Sequence, residues 1–218
     1  MWCIQEITPE YRKRMYDILD LYAEPYDTAK PVIGFDEKPK QLIGDVRMPI
    51  PARLGKIAKQ DYEYVRRGTA NIFLAIEPKG GKRLTQVTNQ RTKKDFACFL
   101  RMLVKRYHNA KRIRVVLDNL NTHKPESLKQ NLSPEQTKEI LRKVEFHYTP
   151  THASWLNVAE IEISVMDTEC TARRIPTIEM LTKEVNAWAT GRNRKRKKIV
   201  WTFTKQKADM KLRKHYVS

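Results

Sequence analysis

Apolar residues recur at two distinct periods along this chain, and the changes of period mark its elements. Met15, Ile18, Leu19 and Tyr22 follow at helical spacing behind Thr8-Pro9-Glu10, a hydroxyl cap with proline at the first helical position and an acid in the first turn. Pro25 and Pro31 bracket a linker. Val32 to Phe35 is a short apolar run ended by Asp36-Glu37-Lys38-Pro39, the pattern of a buried strand leading into a turn. Asn71 to Glu77 and Arg83 to Thr88 read as the next two strands, joined through the turn signal Pro78-Lys79-Gly80-Gly81. Thr92 and Asp95 have the spacing of a capping box, and Phe96, Phe99, Leu100, Leu103 and Tyr107 supply the helical stripe behind it.

Arg112 to Leu117, rich in β-branched residues, is a fourth strand ending at Asp118. Ser133-Pro134-Glu135-Gln136 starts another helix, and Val144, Phe146 and Tyr148 alternate with polar neighbours as a half-buried fifth strand. A further helix carries the end of TPTHASWLNVAEIEIS, residues 149–164. A three-strand meander followed by helix, strand, helix, strand and helix predicts an α/β fold, a mixed five-stranded sheet with helices on its faces. The fourth strand is expected to return beside the first by a right-handed crossover, which sets Asp36 and Asp118 on adjacent strands near the sheet centre.

Two stretches depart from this pattern. Residues 45–68 combine Pro49 and Pro51 with basic residues at 47, 53, 56, 59, 66 and 67, and read as an extended basic loop or hairpin able to track a phosphate backbone or simply to face water. After a helix capped by Thr177, carrying Ile178, Leu181, Val185 and Trp188 and stopped by Gly191, comes RNRKRKK at 192–198, six cations in seven residues. That run is either a DNA-backbone contact or a solvated linker, and the charge of the chain favours contact; a short basic helix follows from about Thr204. Three segments are expected: an N-terminal helix and linker at 1–30, a central unit holding the five-stranded sheet at 31–170 and a basic C-terminal helical extension at 171–218.

Composition changes the picture in two ways. Lys plus Arg outnumber Asp plus Glu by 43 to 25, a formal charge of +18 that favours a polyanionic partner, nucleic acid first. Cys3, Cys98 and Cys170 have no CxxC spacing, which argues against a disulfide framework or a zinc knuckle and for a reducing compartment. No apolar run of roughly 18 residues and no signal pattern is present, so a soluble intracellular protein with no membrane partner is expected.

The candidate chemistry lies in Asp36, Asp118 and Glu160, two carboxylates at strand positions and one on a helix. Oxygen ligands from three rigid elements suit a hard cation, Mg²⁺ or Mn²⁺, and two such ions about 3.5–4 Å apart serve phosphoryl transfer. Glu160 and Glu162 point to nearly opposite sides of their helix, so only one can face the aspartates. Asn157 and Ser164 extend a polar stripe through Glu160, while Val158, Ile161 and Val165 suit packing; this selects Glu160 and leaves Glu162 as a surface residue. His123 and His152 are each either a ligand or base, or a hydrogen-bonding structural residue. Ser154 and Cys98 have no base at informative spacing, which argues against covalent catalysis.

DEKPKQLIG at Asp36, LDNLNTHKP at Asp118 and YTPTHASWLNVAEIE ending near Glu162 resemble the motifs of DDE transposases, on the bacterial insertion-sequence side of the mariner superfamily. DYEYVRRGTANIF and RRIP resemble the same branch, so the likeness runs from Trp2 to Tyr216. The resemblance implies an RNase H-like (retroviral-integrase-like) fold, divalent-metal-dependent cutting of the element's ends, and joining of the 3′-hydroxyl to target DNA. It implies Asp36, Asp118 and Glu160 as the catalytic, metal-binding residues, with Glu162 the runner-up in register, and leaves open the roles of Asn119, Asn121 and His123 in the DNxxxH-type surroundings. Implied partners are transposon ends, target DNA and further copies in a homodimer or larger synaptic complex, in the bacterial cytoplasm at the nucleoid. Members usually carry helix-turn-helix modules ahead of the catalytic domain, so a chain opening at Met1-Trp2 reads as a catalytic fragment, a split frame or a truncated chain. The rival reading is a remnant that binds DNA, or regulates an intact transposase, without catalysis.

Overall fold

The computed structural model describes residues 6–217; Cys3 and Trp2 lie outside them. Helix α1 (Pro9–Ala23) leads to β1 (Val32–Asp45), β2 (Tyr64–Glu77) and β3 (Lys82–Thr88), then α2 (Lys93–Arg106) and β4 (Ile113–Leu117). There follow α3 (Pro125–Asn131), α4 (Pro134–Lys143), β5 (Val144–Tyr148), α5 (Val158–Met166), α6 (Ile178–Arg194) and α7 (Lys205–Leu212). The sheet order is β3-β2-β1-β4-β5, with β1 antiparallel to β2 and parallel to β4, and β4 parallel to β5. This is the expected mixed five-stranded sheet, an RNase H-like arrangement with Asp36 on the central strand.

Alternation along β1 divides the interior. Ile33 and Phe35 enter the core beneath α2, α3 and α4, with Phe73, Phe96, Phe99 and Leu103. On the other face Ile72, Leu74 and Ile76 share a core with Met15 and Ile18 of α1, Val158 and Ile163 of α5, Leu181 and Val185 of α6, and Leu212 of α7. The helix starts follow their sequence signals: Thr92 and Asp95 form a reciprocal capping box, as do Ser133 and Gln136.

Three local expectations fail for identifiable reasons. The first strand does not turn at Asp36-Glu37-Lys38-Pro39 but runs on to Asp45, paired with β2 from Gly34 onward with one register shift between Gln41 and Ile43. Its pairing with β4 covers only Val32–Gly34, so beyond Asp36 it is an edge strand, where a proline without an N–H is tolerated. Gly191 does not stop α6, which continues to Arg194 because the buried contacts of Arg192 hold the last turn. Ile161 is exposed on α5, whose buried face is Ala159, Glu162, Ile163 and Met166. The short α3 had no apolar stripe to announce it.

Beyond Ile43, β1 and β2 reach out past the sheet. Residues 46–63 close this arm as a hairpin with bridges Ile50↔Lys59 and Arg53↔Lys56, and Leu54 stands fully exposed near its tip.

A carboxylate cluster where two central strands part

The candidate site forms where β1 and β4 diverge. Their last paired residues are Gly34 and Val116; two residues further along each chain stand Asp36 and Asp118. A gap between parallel strands at their carboxyl ends is a natural ligand crevice in open α/β sheets.

Helix α5 closes over this gap. Asn157 caps it, accepting from the Ala159 N–H at 3.1 Å, while its amide donates to the Phe35 carbonyl at 2.7 Å and to Asp36 Oδ2 at 3.3 Å. One side chain thus starts the helix and aims the aspartate. Tyr22 of α1 braces the same point, its hydroxyl donating to the Leu156 carbonyl at 3.0 Å and accepting from the Val158 N–H at 3.1 Å. The close approach requires Gly34: a Cβ there would lie 2.4 Å from Val158 Cγ1 and 3.0 Å from the Ala159 nitrogen. Gly34→Ala is therefore expected to lift α5 from β1, lowering stability by about 1–3 kcal/mol by urea denaturation. An unchanged midpoint would show that the approach has slack.

Glu160 sits exposed in the first turn of α5. Asp36 feels both other carboxylates. Burial is the main cause that pushes its pKa up to about 7; the Glu37 N–H bond opposes this, and the charges of Glu160, Asp118 and Glu37 add to it. Asp36 thus lies within electrostatic reach of three further acids.

Asp118 is held by His123, which is fully buried against Phe35 and Phe96. The imidazole bridges two carboxylates: Nδ1 meets Asp118, and Nε2 meets Glu37 at 3.1 Å. Burial alone would lower its pKa, but the bonds and charges of Asp118 and Glu37 prevail and raise it to about 9, so the ring is a cation at neutral pH. Tyr148 fixes the loop by donating to the His123 carbonyl at 3.0 Å. His123 is thus the hydrogen-bonding partner rather than the isolated residue, whereas His152 is exposed, with a left-handed φ of 60°. Glu37 was missed by sequence reasoning; the signal available was its place two residues after Phe35, which points it into the same core.

Glu162 overturns its expected surface position. It is fully buried, and its carboxylate accepts from Arg83 Nε at 2.8 Å and Nη2 at 3.0 Å and from Arg192 Nε at 2.7 Å. Both carboxylate oxygens are saturated by guanidinium groups, on the side of α5 away from Glu160.

The donor set fits a hard cation in chemistry: oxygen ligands, excess negative charge and a buried carboxylate that resists ionisation without a counter-charge. Among the described residues no three His, Cys, Asp or Glu side chains converge at ligand spacing, since Asp118 is drawn to His123 and Glu160 stands in solvent. An open site of this kind is completed by water and substrate oxygens, the usual condition for Mg²⁺.

Residues 31–182 match the family described as DDE superfamily endonuclease, more than half of the chain. The chain belongs to that superfamily. Solved structures similar to it include the "Mos1 transposase paired-end complex with left transposon end", at 12% identity and a TM-score of 0.41, covering 92% of this chain and 66% of that one. The "Crystal structure of the Mos1 mariner paired end complex with Mn" aligns at 14% identity and 0.41, covering 90% and 64%. The chain therefore spans just under two thirds of the length of these transposases. No curated protein sequence matches. Among the described residues no helix is long and apolar enough to cross a membrane.

Proposed function

We propose that this chain is the catalytic part of a DDE transposase of the mariner superfamily's bacterial insertion-sequence branch, cutting DNA at the element's ends and joining the 3′-hydroxyl to target DNA. The observation that carries the reading is geometric: Asp36 and Asp118 stand two residues beyond the last β1–β4 pair, and Asn157 docks the helix bearing Glu160 onto Asp36. Membership of the endonuclease superfamily supplies the reaction class.

Asp36, Asp118 and Glu160 would hold two divalent ions, Mg²⁺ or Mn²⁺, which when bound polarise the phosphate and activate the attacking oxygen. The remaining work falls to the chain itself. Asn157 orients the Asp36 carboxylate, His123 orients that of Asp118, and the α5 N-terminus lowers the cost of gathering negative charge. The catalytic unit is residues 31–170, buttressed by the helix of 1–30 and the basic segment 171–218. The basic hairpin and the formal charge of +18 suit a DNA backbone. Pairing two ends requires a homodimer or larger synaptic complex, and the substrate places the protein at the bacterial nucleoid.

Asp118→Asn and Glu160→Gln are each expected to reduce Mg²⁺- or Mn²⁺-dependent cleavage of labelled DNA more than about 100-fold, beyond the roughly 10–100-fold typical of outer-shell partners. Folding and DNA binding should be retained. Equal DNA binding with no cutting by native or variant protein would replace the proposal with a DNA-binding remnant or regulator.

A further inference from the structure

The basic run that ends α6 and continues beyond it is no loose linker. Arg192, its first cation, is turned inward to Glu162 and, at 3.2 Å, to Glu169, and stands 5.6 Å over the Trp188 ring. Asn193 locks onto the β3 edge as a neighbouring strand would, accepting from the Arg83 N–H at 2.6 Å and donating to its carbonyl at 3.0 Å. Arg196 N–H bonds to the Asn193 carbonyl at 3.0 Å, Ile199 N–H to the Pro78 carbonyl at 3.0 Å, and Arg83 donates to the Lys197 carbonyl. Arg196 adopts a left-handed φ of 44° and packs so tightly on Gly81 that a Cβ there would come within 2.6 Å of its carbonyl.

The outcome is a fixed turn presenting Arg194, Lys195, Arg196, Lys197 and Lys198, all exposed and none ion-paired among the described residues. Five like charges held together on an ordered backbone repel one another. The left-handed φ is the ordinary termination of α6, where the Arg196 and Lys197 N–H groups return to the Asn193 and Arg192 carbonyls, so the backbone is fixed without a ligand; the clustered charge is what a regularly spaced polyanion relieves.

The junction beneath the turn is one carboxylate. Glu162 holds Arg83, which grips the turn through Lys197, and Arg192, which begins it; Glu162 itself belongs to α5, two residues from Glu160. We propose that residues 194–198 bind a DNA phosphate backbone and that Glu162 is a positioning residue, preorganising this turn and registering it against the helix that carries Glu160. The registration rests on the proposed catalytic reading; the binding does not.

Glu162→Gln makes a sharp test because it removes a negative charge. Charge alone predicts equal or tighter DNA binding, whereas loss of preorganisation predicts weaker binding. By fluorescence anisotropy of a labelled duplex in EDTA, Kd is expected to rise about tenfold, as it does for Arg192→Lys, which keeps the charge but loses the fork. Amide exchange at Lys195, Arg196 and Lys197 should rise while the sheet amides stay protected. Replacing Lys195, Lys197 and Lys198 by Gln should reduce the slope of log K against log salt by about 2–3.

Unchanged or tighter binding by folded Glu162→Gln, or by Arg192→Lys if the first variant does not fold, would overturn the positioning role. An unchanged salt slope in the triple variant would overturn the site. Since no arm depends on cleavage, a chain that binds through this turn but cuts nothing sinks the proposed function alone.

Discussion

Asp36→Asn is expected to abolish DNA cleavage and at the same time to stabilise the metal-free protein. The carboxylate lies within electrostatic reach of Glu37, Asp118 and Glu160, and its pKa is pushed up to about 7 from the ordinary 3.8. A raised acid pKa means that the folded state binds the proton more tightly than the unfolded state does. Its ionisation therefore costs stability: nothing below about pH 3.8, progressively more as pH rises, and the full amount above about pH 7. Three units correspond to roughly 4 kcal/mol at 1.36 kcal/mol each, and part is lost because the amide must also be buried, so a gain on the order of 2–3 kcal/mol at pH 8 is expected. Urea denaturation in EDTA at pH 8 and pH 4 checks it: the gain should be present at the first and absent at the second. A variant no more stable than native at pH 8 would mean that neither burial nor the neighbouring acids penalise the Asp36 charge, and the argument that the site awaits a counter-charge would lose its basis. Gaining stability while losing activity is what a site built to receive a cation should show.

His123→Leu carries the largest expected cost to stability. Leucine fills most of the space between Phe35 and Phe96, so the change reports on charge more than on a cavity. Among the described residues Glu37, whose side chain is 2% exposed, would keep only Arg91 as a cation, 3.6 Å away and half in solvent. Removing one partner of a buried ion pair typically costs about 3–5 kcal/mol, because the other charge is left behind. Adding Glu37→Gln should restore a large part of that loss, since a neutral amide has far less to lose. A double variant no better than the single one would show that His123 acts through packing alone. The pH sign is opposite to that of Asp36. The folded pKa of His123, about 9, lies above its ordinary 6.5, so its contribution is complete below about pH 6.5 and is lost as pH rises through 9.

The interplay of the two residues bears on how the site opens to substrate. Among the described residues Asp118 is held by His123, which is anchored in turn to Glu37 inside the core. The bridge holds the Asp118 loop in place from the core side, while Glu160 stands in solvent.

What the sequence determined by itself was local. Helical and strand periods, the capping boxes at Thr92 and Ser133, and the two apolar runs reaching Asp36 and Asp118 depend on residues within one or two turns of each other, so they are legible without a fold. Helix phase alone separated Glu160 from Glu162. Tertiary structure decided what each of them faces. Glu162 meets Arg83 across 79 residues, His123 meets Glu37 across 86, and Asn157 meets Asp36 across 121. No period or spacing encodes such pairings. They follow from how α5, β3 and α6 pack, and from the absence of a side chain at Gly34 that lets α5 settle onto the central strand. For the same reason a glutamate assigned to the surface is fully buried: an acid on a helix is read as solvated until a fold brings two arginines to it.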